Sequence, residues 1–210
     1  MAESIQNSHF LLRRLHSLLG LLPIGAFLSF HLWENSQSRL GASHYNGEVV
    51  AFLQGTNYLT VIEIVVIALP LVLHAGYGLL ISTQMRWAPR RHAYLRNWAY
   101  GLQRISGIGI LLFLVLHVGM TRVQGLWEPT VRADLYGHMQ HLLTQPAIFW
   151  LYLIGLLLSV FHLANGLATM GIVWGLTASA EAQRRFGYVC AGLGVLLAVI
   201  GIQGLLGFLP

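Results

Sequence analysis

The sequence predicts an all-α integral membrane bundle of five transmembrane helices, and three observations predict it. The 210 residues are 56% hydrophobic and only 9% charged, against about a quarter charged in an average soluble domain. The apolar residues fall in five runs, each long enough for a hydrocarbon core of roughly 30 Å, which takes about 20 helical residues. None of the runs alternates apolar with polar residues as a barrel strand would, so helices are the spanning elements.

The runs lie near 13–33, 59–82, 103–122, 147–173 and 186–209. The first has no small-residue cleavage site and contains His31 and Trp33, so it reads as an anchor and not as a leader. The second carries Glu63 and His74, the third His117 and the fourth His162. The fifth carries no histidine and holds the lone cysteine, Cys190. One cysteine excludes an internal disulfide and a thiolate metal cluster, and Cys190 reads as a small packing residue. The 34–58 and 123–146 connections are long and polar, and the second predicts a short surface helix from Asp134 to Leu143. The other connections are short and basic. The whole chain, 1–210, reads as one transmembrane domain with no soluble domain.

All twelve basic residues are arginine, and their placement sets the topology. Arg13 and Arg14 precede the first span. Arg86, Arg90, Arg91, Arg96 and Arg104 lie between spans two and three, and Arg184 and Arg185 between four and five. Only Arg39, Arg122 and Arg132 fall on the other side. The positive-inside rule then predicts a cytoplasmic N-terminus and an outer C-terminus. A net charge of +5 distributed this way is a topology signal and gives no indication of nucleic-acid binding.

One histidine deep in each of four spans is the chemical signal, because ionisable groups inside a bilayer are costly and are retained for function. At 1.5 Å per residue, His31 lies roughly 24 Å and His117 roughly 18 Å above the inner edge, while His74 and His162 lie roughly 22 Å below the outer edge. The set divides into an outer pair, His31 with His117, and an inner pair, His74 with His162. Two bis-histidine haems need this pattern. Zinc fits less well, since neither layer offers more than two histidines, and a proton relay would favour a graded ladder over two levels. A single membrane histidine can also serve as an interhelical hydrogen bonder.

A macrocycle needs room. Residues eleven apart share a helix face, and eleven before His31 and His117 stand Gly20 and Ser106, both small. Gly155 stands seven before His162, and Gly76, Gly78, Gly119 and Gly166 flank the ligands. Arg14, His16, Ser17 and Arg104 are the inner-face candidates for haem propionates, arginine through its fork of donors. The same face rule puts Glu63, eleven before His74, inside the bundle near the outer pair, where a buried carboxylate could carry protons. Glu48 lies just outside the same span. Either acid could serve quinone protonation. Trp33, Trp87, Trp98, Trp127, Trp150 and Trp174 read as an interfacial belt, with Trp98 and Trp174 also placed to line a quinone or propionate site. His9, His44, His92, His138 and His141 read as solvated or interfacial.

The segments RRLHSLLGLLPIGAFLSFHLWEN (13–35), LHAGYG (73–78), QRISGIGILLFLVLHVGMTR (103–122) and FHLANGLATMGIVWG (161–175) resemble, in order and orientation, the five-helix dihaem cytochrome b subunit of succinate:menaquinone and quinol:fumarate oxidoreductases. The resemblance implies that His74 and His162 hold a proximal haem b and His31 and His117 a distal one. It also implies that His16 and Ser17 lie at a proximal propionate. It implies an iron–sulfur subunit on the cytoplasmic face, a flavoprotein bearing FAD beyond it, menaquinone as the redox partner, and a place in the bacterial plasma membrane. No dicarboxylate site is expected in this chain, and the complex can assemble into a higher oligomer. A dihaem cytochrome of another oxidoreductase, such as a hydrogenase or formate dehydrogenase, shares the histidine pattern, and a haem-free transporter is disfavoured by only five spans with no evident inverted repeat.

Overall fold

The computed structural model describes residues 2–84 and 95–210, with side chains described over 10–84 and 97–210. Arg86, Trp87, Arg90, Arg91 and His92 therefore lie outside the described residues, as do the side chains of His9 and Arg96. Five helices are long and apolar enough to cross a membrane: Phe10–Leu40, Leu59–Thr83, Asn97–Trp127, Pro146–Val173 and Ala180–Gly207. No strand occurs among the described residues.

These helices outrun the apolar runs that predict them. The first continues through Glu34, Asn35 and Arg39 to Leu40, the third extends at both ends, and the fifth starts six residues before the predicted 186. Hydropathy marks the hydrocarbon slab, whereas a helix stops only where its backbone hydrogen bonds stop. The polar turn Gln37–Leu40 stays helical because it packs on the fifth span: Ser38 Oγ donates to the Gly204 carbonyl at 2.8 Å, and Arg39 Nη1 to Gln203 Oε1 at 2.8 Å.

The first three spans are not uniform α-helices. Each contains a π-helical segment: Gly20–Gly25 in the first, around Pro23, Glu63–Ala68 in the second and Gly119–Val123 in the third. Such segments carry an extra residue within the turn and recur at functional sites. Spans four and five are α-helical throughout, over Pro146–Val173 and Ala180–Gly207.

Lipid-type burial is evident from the outward side chains. Val72, Leu112, Val115 and Val195 leave most of their surface exposed, as a helix in hydrocarbon can at no hydrophobic cost. Inside, Leu32, Leu156, Val160 and Leu197 join spans one, four and five. Gly201 and Gly204 let the fifth span come against Leu32 and the backbone of Asn35 and Ser36. A second cluster, Tyr45, Val50, Met139, Leu143, Tyr152 and Phe208, closes one end of the bundle. The two long connections build that cap, and neither is an open polar loop. Helical turns run over Tyr45–Val50, Ala51–Gly55 and Pro129–Ala133, and the surface helix is Leu135–Leu143, with Asp134 Oδ1 accepting from the Gly137 N–H at 2.8 Å. This is the capped end; the opposite end, carrying Arg13, Arg14, Arg184 and Arg185, is the basic end.

A histidine-paired redox centre candidate

The four span histidines meet in two pairs. His74 on span two faces His162 on span four, with ring centroids 6.2 Å apart and planes at 82°. His31 on span one faces His117 on span three at 5.9 Å and 72°. Two imidazoles that each stand ~2 Å from one metal, on opposite sides of it, have centroids about 6 Å apart. Each pair therefore has a spacing at which the two imidazoles would hold one metal between them. Among the described residues no three His, Cys, Asp or Glu side chains gather as a metal cluster.

Near the basic end, both imidazoles are held by Nδ1. His74 Nδ1 donates to the His16 carbonyl at 2.8 Å, and His162 Nδ1 lies 3.0 Å from Ser106 Oγ. Because a carbonyl can only accept, His74 keeps the lone pair on Nε2 that a metal ligand requires. His16 also stacks on His74, centroids 3.9 Å apart and nearly parallel. In the other pair the rings are packed by aromatics: Phe27 stacks on His31 and Phe113 on His117, and Tyr152 Oη lies 3.3 Å from His117 Nδ1.

The small residues stand directly against the histidine rings and their neighbours. A Cβ on Gly20 would overlap the His74 ring, with Nδ1 2.8 Å away, and one on Gly107 would stand 3.0 Å from His162 Cε1. Gly155 admits the Phe113 ring, which in turn stacks on His117. Ser106 hydrogen-bonds His162. These positions thus accommodate the histidines and their supports.

Glu63 departs furthest from expectation. It does not aim at the histidines: its Oε2 accepts from Arg122 Nη2 at 2.7 Å and Nε at 3.1 Å, and about a third of each side chain remains exposed. The reason is the π segment Glu63–Ala68. Its extra residue makes the eleven-residue step to His74 equivalent to ten in an α-helix, which turns Glu63 by about 100°. Glu48 is exposed on the capped end.

At the basic end Trp174 Nε1 donates to Ser17 Oγ at 3.0 Å, and the Arg14 guanidinium lies over the Trp174 and Phe10 rings. Arg104 lies 3.7 Å from the centre of the Tyr100 ring. Arg14 Nε, Arg104 Nε and His16 Nδ1 are buried with no hydrogen-bond partner. Trp98 is half exposed. Between spans one and two, Leu12, Leu15, His16, Leu19, Leu73 and Tyr77 line a groove of about 340 Å³.

Several residues escaped the sequence reading. Glu34, three residues beyond His31, is only 5% exposed and has Oε1 unpartnered. Tyr45 donates to Asn35 Oδ1 at 3.1 Å, and Asn35 Nδ2 to the His31 carbonyl at 2.7 Å. Burial, and then the Glu34 carboxyl, push the Tyr45 hydroxyl above its usual range, so it stays a donor. Gln103 and Asn165 bridge spans three and four beside His162. His138, read as interfacial, reaches from the surface helix to the Met120 carbonyl at 2.8 Å. The usable signal was a polar side chain three residues from a span histidine: Glu34 from His31 and Asn165 from His162.

Five apolar helices that bring four histidines together in two pairs define a multi-pass membrane protein. Residues 86–201 match the model of the succinate dehydrogenase/fumarate reductase transmembrane subunit family. The chain is also 36% identical over 202 residues, 96% of its length and 98% of the relative's, to the succinate dehydrogenase cytochrome b558 subunit of Bacillus subtilis (strain 168). The chain belongs to this family of succinate dehydrogenase and fumarate reductase membrane subunits.

Proposed function

We propose that the chain is the electron-transferring membrane anchor of a succinate:menaquinone oxidoreductase, holding two haems b. The observation that carries the reading is the two histidine pairs at 5.9 and 6.2 Å, each joining two different spans. Family membership favours this over the membrane subunits of hydrogenases or formate dehydrogenases, which share only the histidine pattern. His74 with His162 would ligate one iron and His31 with His117 the other. Bound there, the haems supply one-electron carriage between the two ends of the bundle.

The chain's own residues do the rest. The Nδ1 contacts of His74 and His162 would leave their Nε2 atoms to the iron. Arg14 Nε, Arg104 Nε and His16 Nδ1, buried and unpartnered, suit an anionic propionate near the basic end. Ser17 and Trp174 brace Arg14 there. The basic end is the cytoplasmic face of the plasma membrane. It docks the iron–sulfur subunit, which carries the FAD-bearing flavoprotein with the dicarboxylate site. Menaquinone exchanges electrons at the membrane side, with Glu48, Glu63, Trp98 and Trp174 as candidate neighbours, and the complex runs in the direction of succinate oxidation or fumarate reduction.

The test is spectroscopic. Dithionite reduction of the purified complex gives a b-type spectrum with two haems per chain, and a succinate-oxidising flavoprotein co-purifies. His74→Ala or His162→Ala removes the haem nearer the iron–sulfur partner, while His31→Ala or His117→Ala removes the other. A complex without haem overturns the reading. Loss of only the far haem in His74→Ala overturns the pairing.

A further inference from the structure

Span three holds His162 of span four by both ring and backbone. Ser106, only 1% exposed, has Oγ 3.0 Å from His162 Nδ1 and 3.0 Å from the Gln103 carbonyl. A hydroxyl has one proton, and Ser106 Oγ donates it to the Gln103 carbonyl. The hydroxyl oxygen then accepts from His162 Nδ1–H, which fixes the tautomer with the lone pair on Nε2. The Gln103 side chain closes the loop. Its Nε2 donates to the His162 carbonyl at 3.1 Å, and its Oε1 accepts from Asn165 Nδ2 at 2.7 Å. Asn165 Nδ2 also reaches the Ala99 carbonyl at 3.3 Å. Gly107, the next residue, leaves the space the ring fills. No other histidine of the four has such a side-chain clamp. His74 uses a main-chain carbonyl, and the side-chain contacts to the rings of His117 and His31 are longer, at 3.3 and 3.4 Å.

We propose that Ser106, backed by Gln103 and Asn165, is a positioning residue for His162. It sets the tautomer and plane of that imidazole and thereby tunes the haem that His74 and His162 would ligate; this rests on the haem reading above. A ring whose Nδ1–H donates to an oxygen is a more electron-rich ligand at Nε2, which favours the oxidised iron. Removing the acceptor therefore raises the reduction potential of that haem and frees the ring to turn.

The experiment is a redox titration with low-temperature EPR on the whole membrane-bound complex, comparing Ser106→Ala, Ser106→Thr and Asn165→Ala with the unaltered protein. The haem nearer the basic end is identified as the one lost in His74→Ala. In Ser106→Ala that haem alone shifts to higher potential and its low-spin EPR signal moves, with haem affinity weakened on the order of tenfold. Ser106→Thr, which keeps the hydroxyl, stays near the unaltered protein, and Asn165→Ala shifts the same haem by less. An unchanged potential and signal in a haem-replete Ser106→Ala complex overturns the proposal and leaves the haem reading standing, as does a shift confined to the other haem. Absence of b haem from the unaltered complex brings down both.

Discussion

Each histidine of the pair nearest the basic end gives one ring nitrogen to the protein and keeps the other, and the residues that make this possible are among the smallest in the chain. Gly20 is the clearest case, because any side chain there meets the His74 ring, itself tied to the His16 carbonyl. Gly20→Ala is expected to cost about 1–3 kcal/mol of local strain and to deplete the haem of that pair while the other is retained, as measured by haem content and reduced-minus-oxidised spectra of isolated membranes. The histidines were legible in the sequence because charge-capable groups are scarce in apolar spans. Their supports were less so. Glu34 stood at the start of a polar connection and drew no reading of its own, and only packing puts it at 5% exposure. Glu63 read as buried because its spacing was counted on an α-helix, and the π segment turned it to Arg122.

At the scale of elements, the fifth span carries no histidine and acts by contact. The backbone of Asn35, four residues past His31, lies 3.0 Å from where a Gly204 Cβ would stand. Gly204→Val must push spans one and five apart, since the obstructing atoms are main chain. It is expected to lower the thermal stability of the detergent-solubilised complex by about 1–3 kcal/mol and to disturb the His31 pair before the His74 pair; a melt followed by haem absorbance at each potential checks this. The number and order of the spans were legible from hydropathy alone. Their ends were not, because Gln37–Leu40 is held helical by hydrogen bonds to the fifth span. The cap was legible only in its surface helix, whose N-terminus Asp134 caps through the Gly137 N–H.

Considered as a whole, the molecule has two unlike ends. One is basic and presents unpartnered arginine nitrogens; the other is sealed by Tyr45, Met139, Leu143 and Phe208. With the buried Cys190 replaced by serine, a cysteine at Ser179 is expected to react with an impermeant maleimide only from the cytoplasmic side and one at Ser43 only from the outside, in oriented vesicles. The reverse pattern would invert the topology. The π segments of the first three spans bear on chain length. A π turn takes up one inserted residue without changing how the helix faces on either side of it. Deleting Val65, which lies in the π segment of span two, is therefore expected to leave both haems in place. Deleting Val72, equally lipid-facing but in the α-helical part, rotates His74 by about 100° against the start of its span and empties its site; haem per chain distinguishes the two. The chain thus holds a spare residue in each of three spans, and a relative shortened at those points can keep every histidine facing as it does here.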